Sequence, residues 1–129
     1  KEETAGGGST TKTYWAGGGQ NNRHIAKLDY STETSTSAFA NLPWGSNTNN
    51  MGVASKLTDV YYVGGGPSLK SRSGKLTFAT ETSTALPSSN YINADAEMAA
   101  ITGGSLYPYA YFWGGTYANL TLSNLIKLT

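Results

Sequence analysis

The sequence predicts an all-β chain built from repeated antiparallel sheets, and three observations lead there. An aromatic-glycine stretch occurs three times, as Tyr14-Trp15-Ala16-Gly17-Gly18-Gly19, Tyr61-Tyr62-Val63-Gly64-Gly65-Gly66 and Tyr111-Phe112-Trp113-Gly114-Gly115-Thr116, at offsets of 47 and 50 residues. A second stretch, Lys27-Leu28-Asp29-Tyr30-Ser31-Thr32-Glu33-Thr34-Ser35-Thr36, aligns without a gap on Lys75-Leu76-Thr77-Phe78-Ala79-Thr80-Glu81-Thr82-Ser83-Thr84, with seven of ten positions identical. Between these landmarks, apolar residues alternate with others at period two, as they do in half-buried strands. A repeat of this length marks an array of like units rather than one self-contained core.

Taken in order, residues 1–13 fill the slot that precedes each aromatic strand. Within them Gly6-Gly7-Gly8-Ser9-Thr10-Thr11-Lys12-Thr13 comes near a phosphate-cradling loop. That chemistry needs glycine where Thr11 stands, an apolar strand before it and a helix after it, and the sequence supplies none of these. Tyr14 to Ala16 and Tyr61 to Val63 read as brief buried strands ending at glycines, where backbones approach closely or adopt positive φ. A polar loop of variable content follows each. Ile25-Ala26-Lys27-Leu28-Asp29-Tyr30, and Leu76 with Phe78 in the next copy, give a second strand with one buried face. Thr32-Glu33-Thr34 and Thr80-Glu81-Thr82 are polar turns, and the strands beyond them finish at Pro43 and Pro87, which suit a sheet edge. Met51-Gly52-Val53-Ala54-Ser55 reads as an inner strand, matched by Met98-Ala99-Ala100-Ile101-Thr102, and Lys127-Leu128-Thr129 opens a third copy of the second strand.

Composition narrows the function classes. Only 13% of residues are charged and the net charge is +1, which gives no field for gathering nucleic acid. The absence of cysteine removes disulfides and thiolate metal sites. No apolar run approaches a membrane span, so membrane insertion is not expected.

Four short strands per unit, a glycine-terminated aromatic strand and a period near fifty together predict β-propeller blades. These span residues 1–43, 44–87 and, incompletely, 88–129, about two and two-thirds blades. The order of small-apolar strand, aromatic-Gly-Gly strand, Lys-Leu-Asp-Tyr strand and Leu-Pro resembles the kelch repeat. The cadence of Gly17-Gly18 after Trp15-Ala16 and Gly64-Gly65 after Tyr62-Val63, followed by Lys-Leu-Asp-Tyr-Ser-Thr-Glu-Thr, is similar to kelch-like arrays in structural proteins of marine bacteriophages. Where kelch units commonly carry a Trp, Ser35-Thr36 and Ser83-Thr84 stand instead. The fewer than three units here, against the 4 to 8 blades typical of a propeller, favour a segment of a longer propeller over copies that assemble with one another.

No catalytic constellation is evident. His24, the single histidine, sits in a polar loop without the partners that metal or acid/base work needs. Glu33 and Glu81 recur at equivalent turns, which assigns them to holding each unit; Asp29 serves a turn, and Asp95 with Glu97 reads as a solvated loop entry. No metal and no cofactor are expected. Tyr30 and Phe78 recur in register as core. Trp44, Tyr91, Tyr107 and Tyr109 lie outside the repeated strands and are the candidate ligand-binding aromatics, since ring faces beside amides suit sugar stacking. Gly17, Gly18, Gly64, Gly65, Gly114 and Gly115 are the structural repeat positions. The resemblance implies a non-enzymatic structural or receptor-binding module of a virion tail or fibre, extracellular, whose partners are other virion proteins, further blades of the same polypeptide and host-surface glycans. Two other functions are weighed: a glycan-active propeller enzyme, for which only Arg23, Arg72 and one histidine are on offer, and an intracellular protein-interaction adaptor.

Overall fold

The computed structural model describes residues 4–17, 23–44, 51–64, 73–87, 104–106, 109–113, 116–117, 120–121 and 125–128. Among them every regular element is a strand. β1 (Thr4–Gly8), β2 (Lys12–Gly17), β3 (His24–Asp29) and β4 (Thr34–Asn41) form one antiparallel sheet in that order. β5 (Met51–Ser55), β6 (Asp59–Gly64), β7 (Ser73–Thr77) and β8 (Thr82–Leu86) form a second of the same topology. A third sheet has β10 (Tyr109–Trp113) between β9 (Gly104–Leu106) and β13 (Leu125–Leu128), and β11 (Thr116–Tyr117) pairs with β12 (Leu120–Thr121) as a separate ribbon.

The glycine-rich start is the first hairpin rather than a phosphate loop: Gly7 pairs with Tyr14, and the Ser9 amide donates to the Lys12 carbonyl to close the turn. Registers coincide across the sheets. Tyr14 faces Lys27, Tyr61 faces Lys75 and Tyr111 faces Lys127. Gly104 faces Tyr111 as Ala54 faces Tyr61. The first strand of the third sheet is therefore offset by 50 residues, whereas the match of Met51 to Met98 implies 47; residues 98–102 lie outside the described residues.

Alternation decides what each sheet face carries. Tyr14, Ala16 and Ile25 of the first sheet pack on Met51, Val53, Val60, Tyr62 and Leu76 of the second, all buried, and Leu42 closes the cluster. Burial of such side chains contributes about 1.5–3 kcal/mol each. The gap is narrow at β1 and β5, because a Cβ on Gly7 would stand 2.6 Å from Ser55 Oγ and 2.9 Å from both Val53 Cγ1 and Val60 Cγ2. The opposite face of the second sheet meets the third through contacts of β5 with β9 and β10, where Ala110 and Phe112 are fully buried. The chain is thus a series of sheets stacked face to face.

The first sheet carries an irregularity that the second lacks. Between Ile25 opposite Ala40 and Lys27 opposite Thr36 the pairing of β3 with β4 shifts, and Ala38 adopts a φ of 54°. A bulge re-aims side chains, and here Phe39 is brought onto Tyr14 with ring centroids 5.8 Å apart.

Candidate functional site

The most developed polar constellation lies between the first two sheets. Glu81 ends the turn between β7 and β8 at a φ of 53°, its amide donating to the Thr77 carbonyl. Left-handed backbone is uncommon for a residue with a long side chain. This turn aims the carboxylate across the gap. Lys12 Nζ donates to Oε1 at 2.7 Å, Lys27 Nζ to Oε2 at 2.6 Å, and the Tyr14 hydroxyl to Oε1 at 3.3 Å. Lys12 is in β2 and Lys27 in β3, so the two cations and the hydroxyl come from neighbouring strands of one sheet and the anion from the next. The ion pairs are about three-quarters buried, with side-chain exposures of 29%, 21% and 24% for Lys12, Lys27 and Glu81.

The apolar surroundings reinforce the geometry. Phe78, three residues before Glu81, stacks on Tyr14 with centroids 5.5 Å apart and planes within 10°. Lys27 Nζ also lies 4.8 Å from the centre of the Phe39 ring, within cation–π range. The hydrogen bonds from Lys12 and Lys27 hold the Glu81 carboxyl below its ordinary range. Burial, with the Glu81 charge beside it, pushes the Tyr14 hydroxyl up to about 12. The Glu81 hydrogen bond likewise raises Lys12.

The matching trio of the second sheet is Asp59, Tyr61 and Lys75. Here the first lysine is replaced by an acid, and Asp59 takes up Lys75 at 3.2 Å. Thr58 and Thr77 hydroxyls also donate to Asp59 at 2.7 and 2.6 Å. Burial works to raise this carboxyl, but the three hydrogen bonds outweigh it and hold it below its ordinary range. The matching trio of the third sheet is Tyr109, Tyr111 and Lys127. Lys127 Nζ lies 3.7 Å from the centre of the Tyr109 ring, and the two tyrosine rings meet edge to face at 6.4 Å.

The sequence-derived candidates are placed as follows. Trp44 is half-buried and lies with Pro43 over β7, so closely that a Cβ on Gly74 would stand 2.6 Å from Trp44 Cζ3 and 3.0 Å from Pro43 Cγ. Tyr109, expected outside the repeated strands, is instead the first residue of β10, paired with Leu106, and its ring lies under Lys127 Nζ. Tyr91 and Tyr107 fall outside the described residues, as do Gly18, Gly65, Gly114, Gly115, Asp95 and Glu97. Gly17 has a φ of 87°, and Gly64 ends β6 opposite Met51. His24 Nδ1 shares a hydrogen bond with Asn41 Oδ1 at 2.8 Å. Asp29 accepts from both the amide and the hydroxyl of Ser31, which fastens its turn.

One expectation is corrected. Tyr30, read as core because it repeats Phe78, is 47% exposed. Phe78 is covered by Tyr14 of the preceding sheet; no described sheet of this chain lies against the Tyr30 side of the first sheet. The residues that the sequence did not single out are Lys12, Lys27 and Asp59. The recurrence of lysine at positions 27, 75 and 127 was the available signal.

No protein-family model matches this sequence, and no curated protein matches it. Among solved structures, the chain is similar to the structure of YjhT, with a TM-score of 0.69 at 20% identity over 92% of this chain. The match covers 35% of that chain, so this sequence spans about a third of the length of the structure it resembles. Likeness at that identity is one of fold, the face-to-face antiparallel sheets described above.

Proposed function

We propose that this chain is part of a kelch-like β-propeller that serves, without catalysis, as a structural or receptor-binding module of a phage virion appendage, a tail or fibre. The observation that carries the reading is the use to which polar chemistry is put. Glu81, Lys12, Lys27 and Tyr14 are engaged in fastening one sheet to the next, and Asp59 and Asp29 in fastening strands and turns. A fastened stack suits a rigid scaffold. Its outermost described strand, β4, presents Thr34, Ser35, Thr36 and Ser37 to solvent, a hydroxyl-rich surface of low charge. The kelch-like cadence supplies the virion setting, by analogy of sequence. Host-surface glycans are the ligand class proposed for the candidate aromatics, with Trp44, beyond β4, and Tyr109, the first residue of β10, as the described members of that set.

Purified virions test this directly. Mass spectrometry of the particles should find peptides of this chain in the tail or fibre fraction, and antibody labelling should decorate an appendage. A chain confined to infected-cell lysate and missing from particles would overturn the reading. Retention on an oligosaccharide panel, reduced at least several-fold by Tyr109→Ala, is the expected result for the glycan part.

A further inference from the structure

The face that the second sheet turns toward the first carries polar atoms that the Glu81 constellation does not use. Across it Val53, Tyr62 and Gly74 stand side by side on β5, β6 and β7. Tyr62 is fully buried, and its hydroxyl has no hydrogen-bond partner among the described residues. Gly74 leaves the place of a side chain to Trp44, whose Cζ3 lies 2.6 Å from where a Cβ would stand. The indole therefore packs onto the row that holds Tyr62, in one apolar cluster with it. Its Nε1 is likewise buried with no partner among the described residues. The Thr84 carbonyl oxygen lies 3.1 Å from the same point above Gly74. A carbonyl accepts two hydrogen bonds, so an oxygen used in a strand ladder can take one more. One patch thus gathers an N–H that only donates, a hydroxyl that does both and a carbonyl that only accepts.

We propose that this patch is a binding site for one buried water molecule, which accepts from the Trp44 indole and the Tyr62 hydroxyl and donates to the Thr84 carbonyl. Three bonds to otherwise unpaired groups are what an internal water typically makes. The occupant is neutral, because Ala16, Ile25, Leu42 and Met51 line the same cluster and the nearby charges, Glu81 with Lys12 and Lys27, are already paired with one another. An ion here would be buried without a counter-charge, at a far higher cost than a neutral molecule. The occupant is also small, since the indole itself fills the place above Gly74. Trp44 follows the outer strand of the first sheet, so the water ties that strand to β6 and β7 of the second. Gly74 is near the start of β7 and Glu81 beyond its end, so the two sheets are fastened at both ends of that strand.

The sign of one substitution tests this. Tyr62→Phe keeps the ring and removes the hydroxyl. With a water in place the variant strips it of a partner, and the folding equilibrium constant should fall by roughly three- to tenfold in denaturant unfolding, the net worth of one hydrogen bond. Were the hydroxyl buried bare, the same substitution would relieve a desolvated group and raise that constant. Two measurements on the wild-type chain stand beside it and decide the matter even where the variant is too unstable to measure. A crystal structure that resolves ordered water should show one peak within hydrogen-bond distance of Trp44 Nε1 and Tyr62 Oη, and crystals grown in bromide should show no anomalous peak there. In solution the Trp44 indole proton, identified by its loss in Trp44→Phe, should give a nuclear Overhauser cross-peak to a long-lived water. A direct hydrogen bond between Trp44 and Tyr62 would overturn the proposal. So would a halide at the site, the lack of a water peak or cross-peak, or a Tyr62→Phe chain as stable as the wild type or more so.

Discussion

Glu81 joins two sheets through three donors, and its removal is felt on both sides. Glu81→Gln should lower stability by about 1–3 kcal/mol, since charge-assisted hydrogen bonds are lost and two lysines keep only an amide oxygen; denaturant unfolding measures it. The folded carboxyl titrates below the ordinary value of 4.5, so its contribution is complete at neutral pH and is withdrawn as pH falls below 4.5 toward the folded value. The variant should therefore show a shallower acid limb, with Asp59 and Asp29 supplying the slope that remains. Tyr14 behaves in the opposite sense. Its folded pKa is raised from 10.0 to about 12, so the stability it contributes is intact below pH 10 and is lost between 10 and 12. Tyr14→Phe should flatten that part of the alkaline limb, read from melting temperature against pH. The sequence pointed to Glu81 because it repeats. Its partners were out of reach of that reasoning, since Lys12 and Lys27 lie 69 and 54 residues away and become neighbours only when the sheets stack.

At the scale of the element, the two Thr-Glu-Thr turns share sequence and backbone but carry different loads. Asparagine tolerates left-handed backbone better than glutamate. Glu33→Asn should therefore leave the stability of the dilute chain unchanged or slightly higher, whereas Glu81→Asn should lower it by about 1–3 kcal/mol, the loss of its charged hydrogen bonds exceeding the backbone gain. Paired thermal melts at low concentration check the contrast. Strands were legible because alternation and glycine punctuation are local: Tyr61 to Val63 falls inside β6, and Met51 to Ser55 is β5 itself. The bulge at Ala38 was not, because the equivalent strand β8 pairs in regular register and the repeat gave no reason for a difference. Nor was the shift of β9, since the methionine match suggested one offset and the pairing of Gly104 with Tyr111 requires another.

Over the whole molecule, the distance between sheets is set at β1 and β5 by a residue without a side chain. Gly7→Val should cost about 2–3 kcal/mol or more, because the added carbons would meet Ser55, Val53 and Val60 across the gap. Gly6→Val, one residue away on the other face with its nearest neighbours at 3.4 Å, should be close to neutral; chemical denaturation of both variants gives the comparison. The aromatic-glycine stretch drew attention to other glycines, since spacing between sheets leaves no local mark on a sequence. The register of the repeat has a consequence for heredity. A DNA segment encoding one unit carries a turn glutamate like Glu81 toward one side of its sheet and a tyrosine–lysine pair like Tyr14 and Lys27 on the other. Copied in tandem, it sets the glutamate side of the later unit against the tyrosine–lysine side of the earlier one, the arrangement seen between the first two sheets. Differences between units, such as Lys12, Asp59 and Tyr109 at one matched position, make the joints unlike one another and turn a set of interchangeable copies into a fixed order.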